Sequence, residues 1–114
     1  MSTPFEPFII EGKAFIEKRE YEKAFQRLSR AIYLVEESVE EALLPEEALA
    51  ELHVLRGTAL RASDETAALH DEVIFSQVLE DYDQAVDWVP YEAGYYQLRG
   101  ALYLHTKVAD YSEE

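Results

Sequence analysis

The sequence contains no cysteine, so disulfide bonds, thiolate metal sites and cysteine nucleophiles are excluded. Its first residues lack the basic region and apolar run of a secretory signal peptide. Nowhere does it approach the roughly 20 consecutive apolar residues that cross a bilayer. We therefore expect a soluble, cytoplasmic protein that does not enter membranes.

Glycine and proline, which interrupt helices, are also scarce, with four of each among 114 residues. Hydrophobic residues make up 48% of the chain and charged residues 30%, which is typical of a folded domain. Apolar residues recur at three- and four-residue steps rather than alternating. The sequence therefore predicts a single all-α domain over residues 1–114.

Basic residues are few, since the sequence has 10 of them against 24 acidic residues and a net charge of −14. Nucleic acids and anionic membranes are bound through Lys and Arg, so neither is an expected partner. A basic partner would be attracted, although solubility alone explains the acidity equally well.

Motifs that carry catalysis or bind metal are missing too. None of the histidines at 53, 70 and 105 belongs to a His-Glu-x-x-His or Glu-x-x-His pattern. The chain also has no glycine-rich phosphate loop and no nucleophile elbow. We therefore expect no enzymatic activity, no metal site and no cofactor.

The apolar periodicity predicts five helices arranged as two helical hairpins and an unpaired helix. Hairpin 1 spans about 5–44, and its second helix runs from Tyr21 to about Leu44. Hairpin 2 spans about 46–89, with Asp64 as the N-cap of its second helix. The unpaired helix covers about 91–107, and we expect a frayed tail over 109–114.

An internal repeat is visible in these helices. Leu-Arg-Gly occurs at 55–57 and again at 98–100, and Gly12 begins a weaker copy. Each glycine precedes a large apolar residue by three positions. Because a glycine within a helix costs about 1 kcal/mol relative to alanine, we expect a neighbouring helix close to each of them.

The second helices share a pattern of small, large and small residues, namely Ala24, Leu28 and Ala31 in the first copy and Val78, Tyr82 and Ala85 in the second. Together with the glycine positions, this pattern resembles the tetratricopeptide repeat family, above all over 79–86 and 95–100. The resemblance covers nearly the whole chain and implies stacked helical hairpins that bind other proteins. The glycines lie more than 40 residues apart, however, whereas the family period is about 34. We interpret the excess as insertions after Ala31 and before Val78.

In that family, ligands lie in a groove formed by the first helix of each hairpin. The corresponding residues in this chain are Ile9, Lys13, Ile16, Val54, Thr58, Arg61, Gln97, Ala101 and Leu104. They lack the basic and amide side chains with which some members hold acidic chaperone tails. The resemblance therefore implies an interaction module or scaffold that binds an apolar or basic segment of a partner protein.

The last helix is apolar around most of its circumference, so a partner or a second copy of the chain is expected to cover it. A patch for self-association would contain Tyr91, Tyr95, Tyr96, Leu98 and Leu102.

Two other functions stay open. One is a small acidic secretion-type chaperone for a client protein, and the less favoured is a metal-binding or enzymatic helical bundle.

Overall fold

The computed structural model describes residues 4–37, 44–64 and 71–112, and side chains as far as Leu104. These residues form five helices and no strand, which confirms the predicted all-α fold. The helices are α1 (Glu6–Glu17), α2 (Tyr21–Glu37), α3 (Glu46–Ser63), α4 (Glu72–Trp88) and α5 (Ala93–Ser112). Each helix packs against the next along the chain, and α1 also touches α3.

Local sequence signals set most of the helix ends. Proline lies in the first turn of α1, where its missing N–H breaks no hydrogen bond. Arg19, with φ of 60°, reverses the chain before α2. Pro45 caps α3, and Glu46 and Glu47 occupy its first turn, where the helix dipole favours negative charge. The starts of α1 and α3 thus agree with the predicted starts of the two hairpins near residues 5 and 46.

The predicted start of α4 needs correction. The Asp71 side chain accepts hydrogen bonds from the Val73 and Ile74 N–H groups, so α4 begins at Glu72 rather than near residue 65. Asp64, predicted to cap that helix, instead lies at the C-cap of α3. Residues 65–70 lie outside the described residues.

The ends of α2 and α5 also differ from the prediction. Leu44 is not helical, and the predicted extension of α2 over 38–43 lies outside the described residues. Helix α5 begins at Ala93, just after the turn at 90–91. Its backbone is helical through Ser112, beyond the predicted end near residue 107, and the frayed tail over 109–114 stays a prediction. Residues 113–114 are not described.

Three groups of buried side chains hold the helices together. The largest joins α1, α2 and α3, the second joins α3 to α4, and the third joins α4 to α5. Their fully buried members are Phe5, Leu28, Ala31, Ile32, Val35, Leu49 and Leu52 in the first, Ala50, Ala85 and Val89 in the second, and Val78, Tyr82 and Leu102 in the third.

Two of the three repeat glycines lie where a neighbouring helix approaches closely. A Cβ on Gly12 would be 2.7 Å from the side chain of Leu28, and one on Gly57 would be 3.1 Å from Asp81 and Tyr82. Gly100 is different, because it is exposed and a Cβ there would meet nothing within 4 Å. The prediction for Gly100 was therefore wrong, since no described element packs on that side of α5.

Within the described residues, no helix combines the length and apolar character needed to span a bilayer.

Candidate partner-binding surface

We call the surface that carries the nine predicted groove residues of α1, α3 and α5 the first-helix face. Lys13 of α1 forms an ion pair of 3.2 Å with Glu51 of α3. One turn further along α3, Val54 packs in the same apolar cluster as Tyr95 of α5. The nine residues therefore belong to three helices, of which α1 contacts α3, and α5 meets α3 near its start.

Four of those nine residues contribute to packing. Ile9 and Ile16 are half-buried against the largest core cluster, and Val54 packs against the second. The Thr58 hydroxyl shares a hydrogen bond of 3.0 Å with the hydroxyl of the buried Tyr82. These side chains shape the floor of the face, and little of their surface is free for a ligand.

The other five are more accessible. Lys13, Gln97 and Leu104 are exposed, and Leu104 keeps 60% of its surface in contact with solvent. Arg61 and Ala101 are half-buried. Ile10, which the sequence analysis did not select, is 62% exposed one helical turn before Lys13.

Two tyrosines and three glutamates form what we call the acidic corner of this face: Glu47, Glu51, Tyr91, Glu92 and Tyr95. Tyr91 lies in the turn between α4 and α5, is 73% exposed, and donates a hydrogen bond of 2.7 Å to Glu47. Tyr95 is half-buried against the second core cluster. The corner thus joins the start of α3 to the start of α5.

Negative charge changes the ionisation of both tyrosines. The hydrogen bond to Glu47 raises the pKa of Tyr91 and lowers the pKa of Glu47. Burial raises the pKa of Tyr95, and the charges of Glu51, Glu92 and Glu47 raise it further. The carboxylates that contribute to both shifts give the corner a negative potential, and such a potential attracts cations.

Only part of the predicted self-association patch is exposed. Leu102 is completely buried between α4 and α5, because it packs on Val78 and Tyr82, and Leu98 is half-buried in the same cluster. Their assignment to an open surface is corrected accordingly. Of the other members, Tyr91 and Tyr95 belong to the acidic corner. Only Tyr96 faces the opposite, open side of α5, with 42% of its surface exposed.

A buried polar network between α3 and α4 was not predicted. Asp81 is 2% exposed and accepts two hydrogen bonds from Arg56, of 3.0 and 2.7 Å. The ring of His53 lies 2.8 Å from the same carboxylate and makes an edge contact with Trp88, with ring centroids 5.0 Å apart. This network fixes the register of α3 against α4, because a buried carboxylate without partners would be costly.

One sequence signal could have revealed this network. Asp81 lies three residues after Val78 and four before Ala85, so it falls within the apolar stripe of its helix. A carboxylate in such a stripe needs a cationic partner on the facing helix. The sequence alone, however, did not tell which residue of α3 would face it.

A small apolar cavity of about 80 Å³ lies beside this network. Its lining comes from α2, α3 and α4, with Ile32, Leu52 and Trp88 among the side chains. None of the nine predicted groove residues lines it. No described residues form a group of three or more His, Cys, Asp or Glu side chains placed to hold a metal ion.

Comparison with known proteins identifies no relative. No protein family, no curated protein and no solved structure matches this chain significantly.

Proposed function

We propose that this chain is a non-catalytic, tetratricopeptide-like interaction module that binds a basic segment of a partner protein, with apolar residues beside its basic ones, on the first-helix face. The observation that carries the proposal is the acidic corner, where the exposed ring of Tyr91 and three exposed carboxylates are accessible together. Its cytoplasmic location would agree with the absence of cysteine.

The chemistry of the corner favours Lys or Arg in the partner. A guanidinium or ammonium group is attracted to the face of an aromatic ring as well as to a carboxylate. Tyr91 offers an exposed ring whose hydroxyl is already bonded to Glu47. A cation beside that ring would also meet the negative charges of Glu51, Glu92 and Glu47, which add to the effect of burial in raising the pKa of Tyr95.

Apolar contacts are available next to the corner along the same face. Ile10 is largely exposed on α1, one turn before the Lys13 that bridges to Glu51. A segment that places a basic residue at the corner and an apolar residue near Ile10 would lie across α1 and α3. Such a segment satisfies the charge of the face and covers its exposed aliphatic side chain.

The packing of the hairpins supports the tetratricopeptide-like interpretation. Leu28 of the following helix packs against Gly12, and Tyr82 of the following helix packs against Gly57 in the same way. The two successive hairpins therefore contain the same type of contact, between a glycine and a large side chain. Such repetition places equivalent first helices next to each other, which creates an extended face for ligands.

The test is a peptide-binding titration by fluorescence anisotropy. One labelled peptide combines Lys or Arg with Leu, a second has every basic residue replaced by Glu, and a third by Gln. We expect measurable affinity only for the basic peptide, and weaker binding as salt concentration rises, because its charges are screened.

Matched variants of the protein locate the site. Glu47→Gln with Glu51→Gln should weaken binding about three- to tenfold, a typical effect of removing exposed charges. The control is Glu80→Gln with Asp87→Gln, which removes the same charge from the exposed surface of α4. Equal affinity for the acidic peptide, or equal loss in both double variants, would contradict the proposal.

A further inference from the structure

The three repeat glycines differ in what covers them. Leu28 fills the space beside Gly12, and the Tyr82 ring fills the space beside Gly57. Beside Gly100, no heavy atom of a neighbouring element among the described residues lies within 4 Å. Gly100 therefore marks a surface that corresponds to the covered surfaces beside Gly12 and Gly57 but is itself exposed.

Large exposed side chains flank this open glycine. Tyr96 precedes Gly100 by one turn, and Tyr103 and Leu104 follow it by one turn, so all four residues lie on one side of α5. We call this set the α5 stripe. Tyr103 and Leu104 are 44% and 60% exposed, whereas Leu102, on the other side of the helix, is fully buried against α4.

The positions of two rings in the stripe are fixed by neighbouring residues. The ring of Tyr103 makes an edge contact with Phe75 of α4, with centroids 6.1 Å apart. The guanidinium of Arg99 lies 5.4 Å from the centroid of Tyr96 and also pairs with Asp83 at 3.0 Å. The stripe is therefore a preorganised surface, which reduces the entropy lost when it binds.

The distribution of acidic residues indicates which partner would bind the α5 stripe. From Ala93 to Ala109 the chain has no acidic residue, and this is its longest stretch without one, in a chain whose net charge is −14. Two copies of so acidic a protein repel each other, so a contact between them must avoid carboxylates. A basic partner would meet no carboxylate from residues 93–109 and would prefer the acidic corner.

We propose that the α5 stripe binds the α5 stripe of a second copy, giving a twofold-symmetric dimer in which the helices cross near Gly100. In a twofold interface each residue faces the same surface of its partner, so one self-complementary stripe is sufficient. The absent side chain of Gly100 lets the two backbones approach closely. The tyrosines on either side supply the kind of aromatic contact that interfaces favour.

This proposal does not depend on the proposed function, since the acidic corner and the α5 stripe share no residue, although Leu104 of the stripe is also one of the nine predicted groove residues. Sedimentation equilibrium over a concentration series tests it. The wild-type chain should form dimers, and raising the salt concentration should strengthen the dimer because repulsion between the acidic copies is screened.

Leu104→Glu and Gly100→Leu should each raise the dimer Kd by about tenfold or more, which corresponds to the loss of one good interface contact. Both positions are exposed in the monomer, so circular dichroism should show an unchanged fold. Val73→Glu is the control, because Val73 is as exposed as Leu104 and lies at the start of α4, outside both proposed surfaces. A wild-type chain that is monomeric at every concentration, or an equal effect of Val73→Glu, would overturn the proposal.

Discussion

Replacing each repeat glycine with alanine should change the free energy of unfolding in different directions. All three glycines lie inside helices, so each substitution gains about 1 kcal/mol of intrinsic helix propensity. What differs is the space available to the new methyl group. The effect at each position therefore reports the contact made there.

At Gly12 the steric cost should exceed the propensity gain. The new Cβ would lie 2.7 Å from the Leu28 side chain, well inside the usual contact distance of about 3.5–4.0 Å. Leu28 cannot withdraw easily, because it is fully buried within the largest core cluster. Overpacking of this kind costs about 1–3 kcal/mol, so Gly12→Ala should lower stability by about 0–2 kcal/mol.

Gly57 should give an intermediate result. The new Cβ would lie 3.1 Å from the Asp81 Cβ and from the Tyr82 ring, a tight contact that small shifts could relieve. Both neighbours are restrained, Asp81 by Arg56 and the Tyr82 hydroxyl by Thr58. Gly57→Ala should therefore lose its propensity advantage and fall between the other two variants.

Gly100→Ala should stabilise the monomer by about 1 kcal/mol, because the methyl group meets open space. Urea denaturation followed by circular dichroism measures all three variants. The protein concentration should be kept below the dimer Kd, since dimerisation would otherwise raise apparent stability. If Gly12→Ala proved as stabilising as Gly100→Ala, the close packing inferred at Gly12 would be refuted.

Two further predictions concern ionised groups. Asp81→Asn should lower the free energy of unfolding by about 3 kcal/mol, because it leaves a buried network without its anion. Asp83→Asn removes an accessible ion pair and should cost less than about 1 kcal/mol, so equal losses in urea denaturation would contradict the network's role. Tyr91→Phe should raise the pKa of Glu47 towards its ordinary value, as measured by NMR titration of the carboxyl carbon. The lowered pKa of Glu47 means that its ionised form stabilises the fold at pH values above the ordinary pKa of glutamate. This stabilisation is lost as the pH falls through the pKa of Glu47 in the folded protein. The variant, which has less of it to lose, should therefore show a smaller loss of stability in acid. An unchanged pKa would show that the bond to Tyr91 does not cause the shift.

Sequence reasoning predicted the helices and their ends where the signal is local. The proline in the first turn of α1 and the one just before α3 fix those starts through their own backbone geometry, and the apolar stripes reveal the buried faces. The start of α4 was missed because both Asp64 and Asp71 are suitable N-caps. Only the structure shows that the Asp71 side chain bonds the first N–H groups.

Contacts between distant residues were harder to predict, as the repeated Leu-Arg-Gly triplets illustrate. Arg56 donates two hydrogen bonds to the buried Asp81 of the following helix, whereas Arg99 pairs with the more accessible Asp83 of the preceding helix. Identical local sequence thus leads to different partners. The difference arises because α3 has a described neighbour on both sides, and α5 has one on one side only.

The same asymmetry explains why one prediction about α5 was wrong, while the expectation that a second copy covers this helix remains a prediction. Leu98 and Leu102 were assigned to an open patch because the helix is apolar around its circumference, yet both pack on α4. What stays exposed is the α5 stripe, and the acidic corner lies apart from it at the start of the helix. Added salt should weaken the binding of a basic peptide at the corner and strengthen dimerisation through the stripe. Because the two responses have opposite signs, measuring both on one preparation separates the surfaces without any substitution.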